Sequence, residues 1–167
     1  MRPELQFDFI VDSSASTLTI KREFAASKQL LWDCHTKSHL LDRWFAPKPF
    51  TTKTKSMNFR EGGHWLYAMV DPGGQEYWGR MDYQTISPTD GYTLLDGFCD
   101  ETGTLNPDLP RASWDVAFTA LPGRTLVTTI VTYASREALQ QVIGMGMQDG
   151  MTSTMERLDE LLLTLDA

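Results

Sequence analysis

Apolar and polar residues alternate over Leu5–Val11 and again over Thr17–Phe24. A period of two predicts two strands, with the polar Asp12–Ser16 as a loose turn between them. Ser27 stands where a helix N-cap is needed before a helix over Lys28–Thr36. A second short helix is expected over Ser38–Phe45, stopped by Pro47 and Pro49. Strand patterns then follow at Phe50–Phe59, His64–Val70, Glu76–Ile86, Tyr92–Cys99, Arg111–Thr119 and Thr125–Thr132. They are punctuated by Gly62-Gly63, by Asp71-Pro72-Gly73-Gly74, by Ser87–Gly91 and by Pro122-Gly123, all turn chemistry. One long polar loop, Asp100–Pro110, interrupts the series.

The period changes after Ser135, which reads as another N-cap. Leu139, Ile143, Met147, Met151, Met155, Leu158, Leu162 and Leu165 recur in steps of four and three, which predicts one helix with a single buried face. Unbroken, it would run about 45–50 Å. Gly144, Gly146 and Gly150 sit in its first half, each costing about 1 kcal/mol relative to alanine in a helix interior. Either the backbone packs close to the sheet there, or the helix bends and leaves space. One long amphipathic helix beside hairpin-linked strands makes the fold class α+β.

At 167 residues the chain, 1–167, reads as one domain able to bury about 70% of its unfolded surface. It needs neither disulfide nor metal to hold a core. A net charge of −7, with scattered basic residues, argues against nucleic acid and anionic membranes as partners. No apolar run is long enough for an integral membrane span. Two cysteines, Cys34 and Cys99, with no signal-peptide pattern, point to free thiols and a cytoplasmic protein. The 8 Met and 5 Trp suit either an irregular core or the wall of a binding cavity.

Particular residues carry a resemblance. Ile20-Lys-Arg-Glu-Phe24 resembles an opening strand, and Ala26-Ser-Lys-Gln-Leu-Leu-Trp32 a first helix, of the START-related, helix-grip superfamily (SRPBCC). Thr36 through Trp44-Phe45, Phe59-Arg-Glu-Gly-Gly63 with Trp65 and Tyr67 behind it, Gly146-Met-Gln-Asp-Gly150 and Leu158-Asp-Glu-Leu-Leu162 continue the likeness. Within the superfamily they look like the family of the C-terminal domain of the heat-shock-protein-90 ATPase activator. The resemblance covers residues 17–165. The chain departs from it in the extra N-terminal strand segment Met1–Ser16, in Phe45, where many relatives carry a second Trp, and in the long loop 100–110. It implies a curved antiparallel sheet wrapped around the C-terminal helix, with a cavity between them that relatives use for small hydrophobic molecules.

Alternation places Trp65, Tyr67 and Met69 on one strand face, Met81 and Tyr83 on the next, and Trp114, Val116 and Phe118 on a later one, facing Met147, Met151 and Met155. With Trp44 and Phe98 these are the candidate ligand-binding residues. Asp96, mid-strand, is expected to point outward or to pair with an arginine, and to be a candidate acid or base only if buried. Arg60 is expected to anchor a loop or an ion pair. His35 and His39 are four apart, but Thr36 stands where a zincin would carry Glu and a helix break is expected at Lys37-Ser38, so no metal and no cofactor are expected. The leading functional reading is a non-enzymatic binding domain for a small hydrophobic or amphipathic molecule. An enzyme of cyclase, dehydratase or hydrolase type in the same cavity, and a co-regulator of a chaperone ATPase, are the alternatives. A homodimer through an N-terminal edge strand is left open.

Overall fold

A computed structural model describes residues 5–165, so Met1–Glu4 of the N-terminal extension lie outside the described residues. The elements are β1 (Phe7–Asp12), β2 (Thr17–Phe24), α1 (Lys28–Thr36), α2 (Ser38–Leu41), β3 (Thr51–Asn58), β4 (His64–Val70), β5 (Glu76–Ser87), β6 (Gly91–Phe98), β7 (Ala112–Leu121), β8 (Arg124–Tyr133), α3 (Arg136–Gly144) and α4 (Met147–Leu165). All eight strands form one antiparallel sheet in the order β1-β2-β8-β7-β6-β5-β4-β3. The N-terminal extension supplies edge strand β1, which pairs with β2 alone. No helix among the described residues is long and apolar enough to cross a membrane.

Local chemistry explains most boundaries. Ser27 Oγ accepts from the Leu30 N–H and starts α1, and Ser135 Oγ accepts from Ala138 and starts α3. Asp71 Oδ1 accepts from the N–H groups of Gly73 and Gln75, closing the β4–β5 turn. At the β3–β4 turn Gly62 takes φ +80°, and a Cβ on Gly63 would lie 2.0 Å from the Asn58 carbonyl oxygen. That position tolerates only glycine. The long loop folds against the outer face of the sheet. Arg80 donates to the Gly103 carbonyl at 2.8 Å, and Asp82 pairs with both Arg80 and Arg111.

Two expectations about the helices change. The second helix ends at Leu41 rather than Phe45, the chain turning instead through bonds such as Phe45 N–H to Leu41 O at 2.9 Å. The C-terminal helix is two helices. Gly146 adopts φ +90° and separates α3 from α4, so the repeat of four from Ile143 to Met147 spans a joint rather than a continuous turn. Close packing on the sheet does not explain the other glycines. Gly144 has open space where a Cβ would be, and the nearest atom to Gly150 is the Pro47 ring at 3.9 Å.

The core lies between α4, α1 and the concave sheet face. Leu18, Ile20, Arg22 and Phe24 of β2 point into it, as do Val127 and Val131 of β8. Leu158, Leu161 and Leu162 of α4 are buried, whereas Met147 and Met151 at its start are half-buried. Arg22 is 0% exposed. Its guanidinium lies 4.6 Å from the Phe24 ring centre and donates to Asp159 of α4 and to the Glu23 carbonyl. A buried charge with one carboxylate partner depends strongly on that partner. Asp159→Ala is therefore expected to lower stability by about 3 kcal/mol. Glu160→Ala, which removes only the exposed pair with Lys48, should cost less than about 1 kcal/mol. Urea denaturation of both variants checks the contrast, and equal losses would contradict it.

Candidate functional site

Between the N-terminal half of α4 and the sheet lies a cavity of about 30 Å³. Its wall takes Trp65 from β4, Met81 and Tyr83 from β5, Tyr92 and Leu94 from β6, and Trp114 and Val116 from β7. Thr129 of β8, His35 of α1, Leu41 of α2, Trp44 and Phe45 beyond it, and Met151, Thr154 and Met155 of α4 complete it. No Asp, Glu, Lys or Arg is among these residues. The volume has room for about two water molecules. Far larger in outline, about 1030 Å³, is an open surface cleft by α1 and the end of α4, bordered by Leu30, Asp33, Glu156 and Leu163. It is a solvent-facing groove rather than an interior.

The sequence-predicted residues divide. Trp44, Trp65, Met81, Tyr83, Trp114, Met151 and Met155 line the cavity together. Tyr67 points to the same side but stacks on Trp65, with ring centres 4.1 Å apart, and so backs the wall. Phe118 is a second-layer residue, edge-on to Trp32 at 5.4 Å and to His35 at 5.1 Å. Met69 is half-buried near the end of β4 and lies outside the lining. Phe98 ends β6 and is 36% exposed, because the strand runs past the edge of the core there. Met147 meets the Tyr133 hydroxyl at 3.7 Å beside the helix joint, also outside the lining. His35, Leu41, Phe45, Tyr92, Leu94, Thr129 and Thr154 are the lining residues that the strand and helix patterns did not single out.

Asp96 turns inward, contrary to the expected outward or arginine-paired placement. It shares the inner face of β6 with Tyr92 and Leu94 and accepts from the Trp114 indole N–H and the Ala112 N–H, each at 2.7 Å. Arg111 contacts only its backbone carbonyl, through Nε at 2.7 Å. Burial raises the Asp96 pKa above 3.8, and the two N–H donors and the Arg111 charge offset part of that rise. Tyr67 is raised by burial first and by the Asp96 charge second. Arg60 is exposed and donates to the Glu61 carbonyl at 3.4 Å, holding its own turn.

Burial keeps His35 neutral, with its pKa lowered to about 4. Its Nδ1 lies 2.7 Å from the Leu31 carbonyl oxygen. A carbonyl only accepts, so Nδ1 carries the proton and Nε2 is a bare acceptor. The ring is fixed edge-on to Trp44 at 4.9 Å. His39, on α2, is exposed; among the described residues no cluster of His, Cys, Asp and Glu forms a metal site. The Cys34 thiol is pushed up to about 11, chiefly by burial, which makes it a poor nucleophile.

The sheet wrapped on α4 and the aromatic wall beneath it are the architecture of the helix-grip class. Residues 25–163 match the sequence profile of the Activator of Hsp90 ATPase homolog 1-like protein family, and the chain belongs to that family. It is similar to protein Ms6760 of Mycobacterium smegmatis, a crystal structure, at 34% identity over 95% of this chain and 96% of that one, TM-score 0.86. It is also similar to a protein of Arthrobacter aurescens solved by NMR, at 30% identity over 94% and 91%, TM-score 0.88. A Staphylococcus epidermidis protein matches at 26% identity over 94% and 95%, TM-score 0.82. Among curated proteins, none matches this chain.

The folded pKa of Asp96 lies above its unfolded value, about 3.9. Stability from the protonated carboxyl is therefore present at acid pH and falls as pH rises from that value through the folded pKa. Carboxyl-carbon NMR titration should place Asp96 above Asp12 and Asp100, both of which are lowered by side-chain and backbone hydrogen bonds. An Asp96 midpoint at or below theirs would contradict the assignment.

Proposed function

We propose that the protein binds a small hydrophobic or amphipathic molecule in the space between the sheet and the first half of α4, without catalysing its conversion. The observation that carries this reading is the lining itself. Three Trp, two Tyr and three Met side chains from separate elements converge on one uncharged interior, the composition of an apolar ligand site. The closed form leaves about 30 Å³, so a ligand of ring size enters only if the wall gives way. Met151 and Met155 supply that give, because unbranched thioether side chains re-pack at low cost. The α3–α4 joint at Gly146, where φ is +90°, lets the start of α4 move without unwinding either helix.

The enzymatic alternative draws on Asp96, the inward carboxylate with a raised pKa. Each of its oxygens already accepts an N–H at 2.7 Å. That arrangement suits a fixed structural anchor better than a group exchanging protons with a substrate.

Trp44, Trp65 and Trp114 in the wall provide the readout. A naphthalene-sized apolar probe is expected to quench tryptophan fluorescence saturably. Met151→Trp, which fills the space, should weaken binding at least about tenfold, since a lost apolar contact of roughly 1.4 kcal/mol is a factor of ten, while circular dichroism stays unchanged. Quenching that never saturates, or that is the same in the filled variant, would refute a site here.

A further inference from the structure

The cavity wall has no formal charge, so an ion inside it would be desolvated with no partner, and the occupant has to be neutral. The wall is not purely apolar, however. His35, Tyr83, Tyr92, Thr129 and Thr154, each with a polar side-chain atom, are among its lining residues. Thr154 Oγ1 is occupied by the Gly150 carbonyl at 2.8 Å. His35 spends Nδ1–H on Leu31 of its own helix at 2.7 Å, and Nε2, on the other side of the ring, is left as an acceptor with no hydrogen to give. The ring cannot swing to find another partner, because Trp44 and Phe118 hold it edge-on at 4.9 and 5.1 Å. A fixed acceptor in an interior wall discriminates strongly for a donor, since a partner lacking one leaves it unpaired.

Building on the binding role proposed above, we infer that the ligand is a neutral ring compound carrying a hydroxyl, which donates to Nε2 of His35 and can accept from the phenol of Tyr83 or Tyr92. In the empty protein, water occupies the same positions; about 30 Å³ suffices for one or two molecules with these partners. The ligand hydroxyl replaces one such water and keeps its hydrogen bonds, while the ring lies against Trp65, Trp114 and Met151. An apolar ring of the same shape displaces the water and returns nothing to His35.

The test compares 2-naphthol with 2-methylnaphthalene, nearly equal in shape and differing in the donor, by tryptophan quenching on the whole chain. We expect 2-naphthol to bind at least about tenfold more tightly, the size of discrimination a hydrogen-bonding site achieves against an analogue lacking the group. His35→Phe should bring 2-naphthol to the level of 2-methylnaphthalene and leave the latter no weaker. Nitrogen-15 NMR of the wild-type protein supplies a readout that needs no variant: the unprotonated Nε2 signal of His35 should move upfield with 2-naphthol and stay still with 2-methylnaphthalene. Equal affinities with an unmoved Nε2 signal would overturn the hydroxyl assignment and leave the binding role intact. Binding of neither compound would overturn both.

Discussion

Everything in this molecule follows from α4 being held at one end. Its C-terminal half buries Leu158, Leu161 and Leu162 against the concave sheet, and Arg22 reaches from β2 to Asp159 between the two layers. Fully burying a leucine side chain is worth about 1.5–3 kcal/mol, so this half is locked by packing and by a buried charge whose carboxylate partner among the described residues is Asp159. The N-terminal half is different. Met147 and Met151 are half-buried, Thr154 and Met155 are buried, and the Trp and Tyr rings of the cavity wall lie opposite Met151 and Met155. A helix packed tightly at its far end and more loosely at its near end has a gap, the cavity of about 30 Å³, under the looser end. That gap is the candidate site.

The joint with α3 completes the device. Without Gly146 at φ +90°, α3 and α4 would be one rod, and lifting the start of α4 would drag Leu139, which is fully buried, from its seat. With the joint, α3 can stay packed while α4 moves. Small interior volume and the proposed ligand role are compatible on these terms, since the proposal has the wall open by shifting flexible methionines rather than rigid aromatics.

Much of this was legible in the residues. Alternation placed every strand within a residue or two, because a sheet with one buried face forces a period of two and a slip would turn the core outward. Trp65, Met81, Tyr83 and Trp114 were found the same way. What failed did so for physical reasons. The joint at Gly146 is invisible to periodicity, since Ile143 and Met147 keep a spacing of four across it; the glycine cluster was its only signal. Phe98 has the right parity but sits where β6 leaves the core, and alternation says nothing about where a strand ends over solvent. Asp96 shares parity with Tyr92 and Leu94, so its inward aim was encoded; what the sequence did not display were the Trp114 and Ala112 N–H groups that make burial tolerable. His35 falls four residues after Leu31 on α1 and thus faces inward with it, but the aromatic rings that fix it come from distant segments.

Amide hydrogen exchange along α4 tests the one-ended grip most directly. The account predicts graded protection: amides of residues 151–154 exchange through local opening well below the global unfolding free energy, while those of residues 158–162 exchange only with global unfolding. Uniform protection from one end of α4 to the other would contradict it.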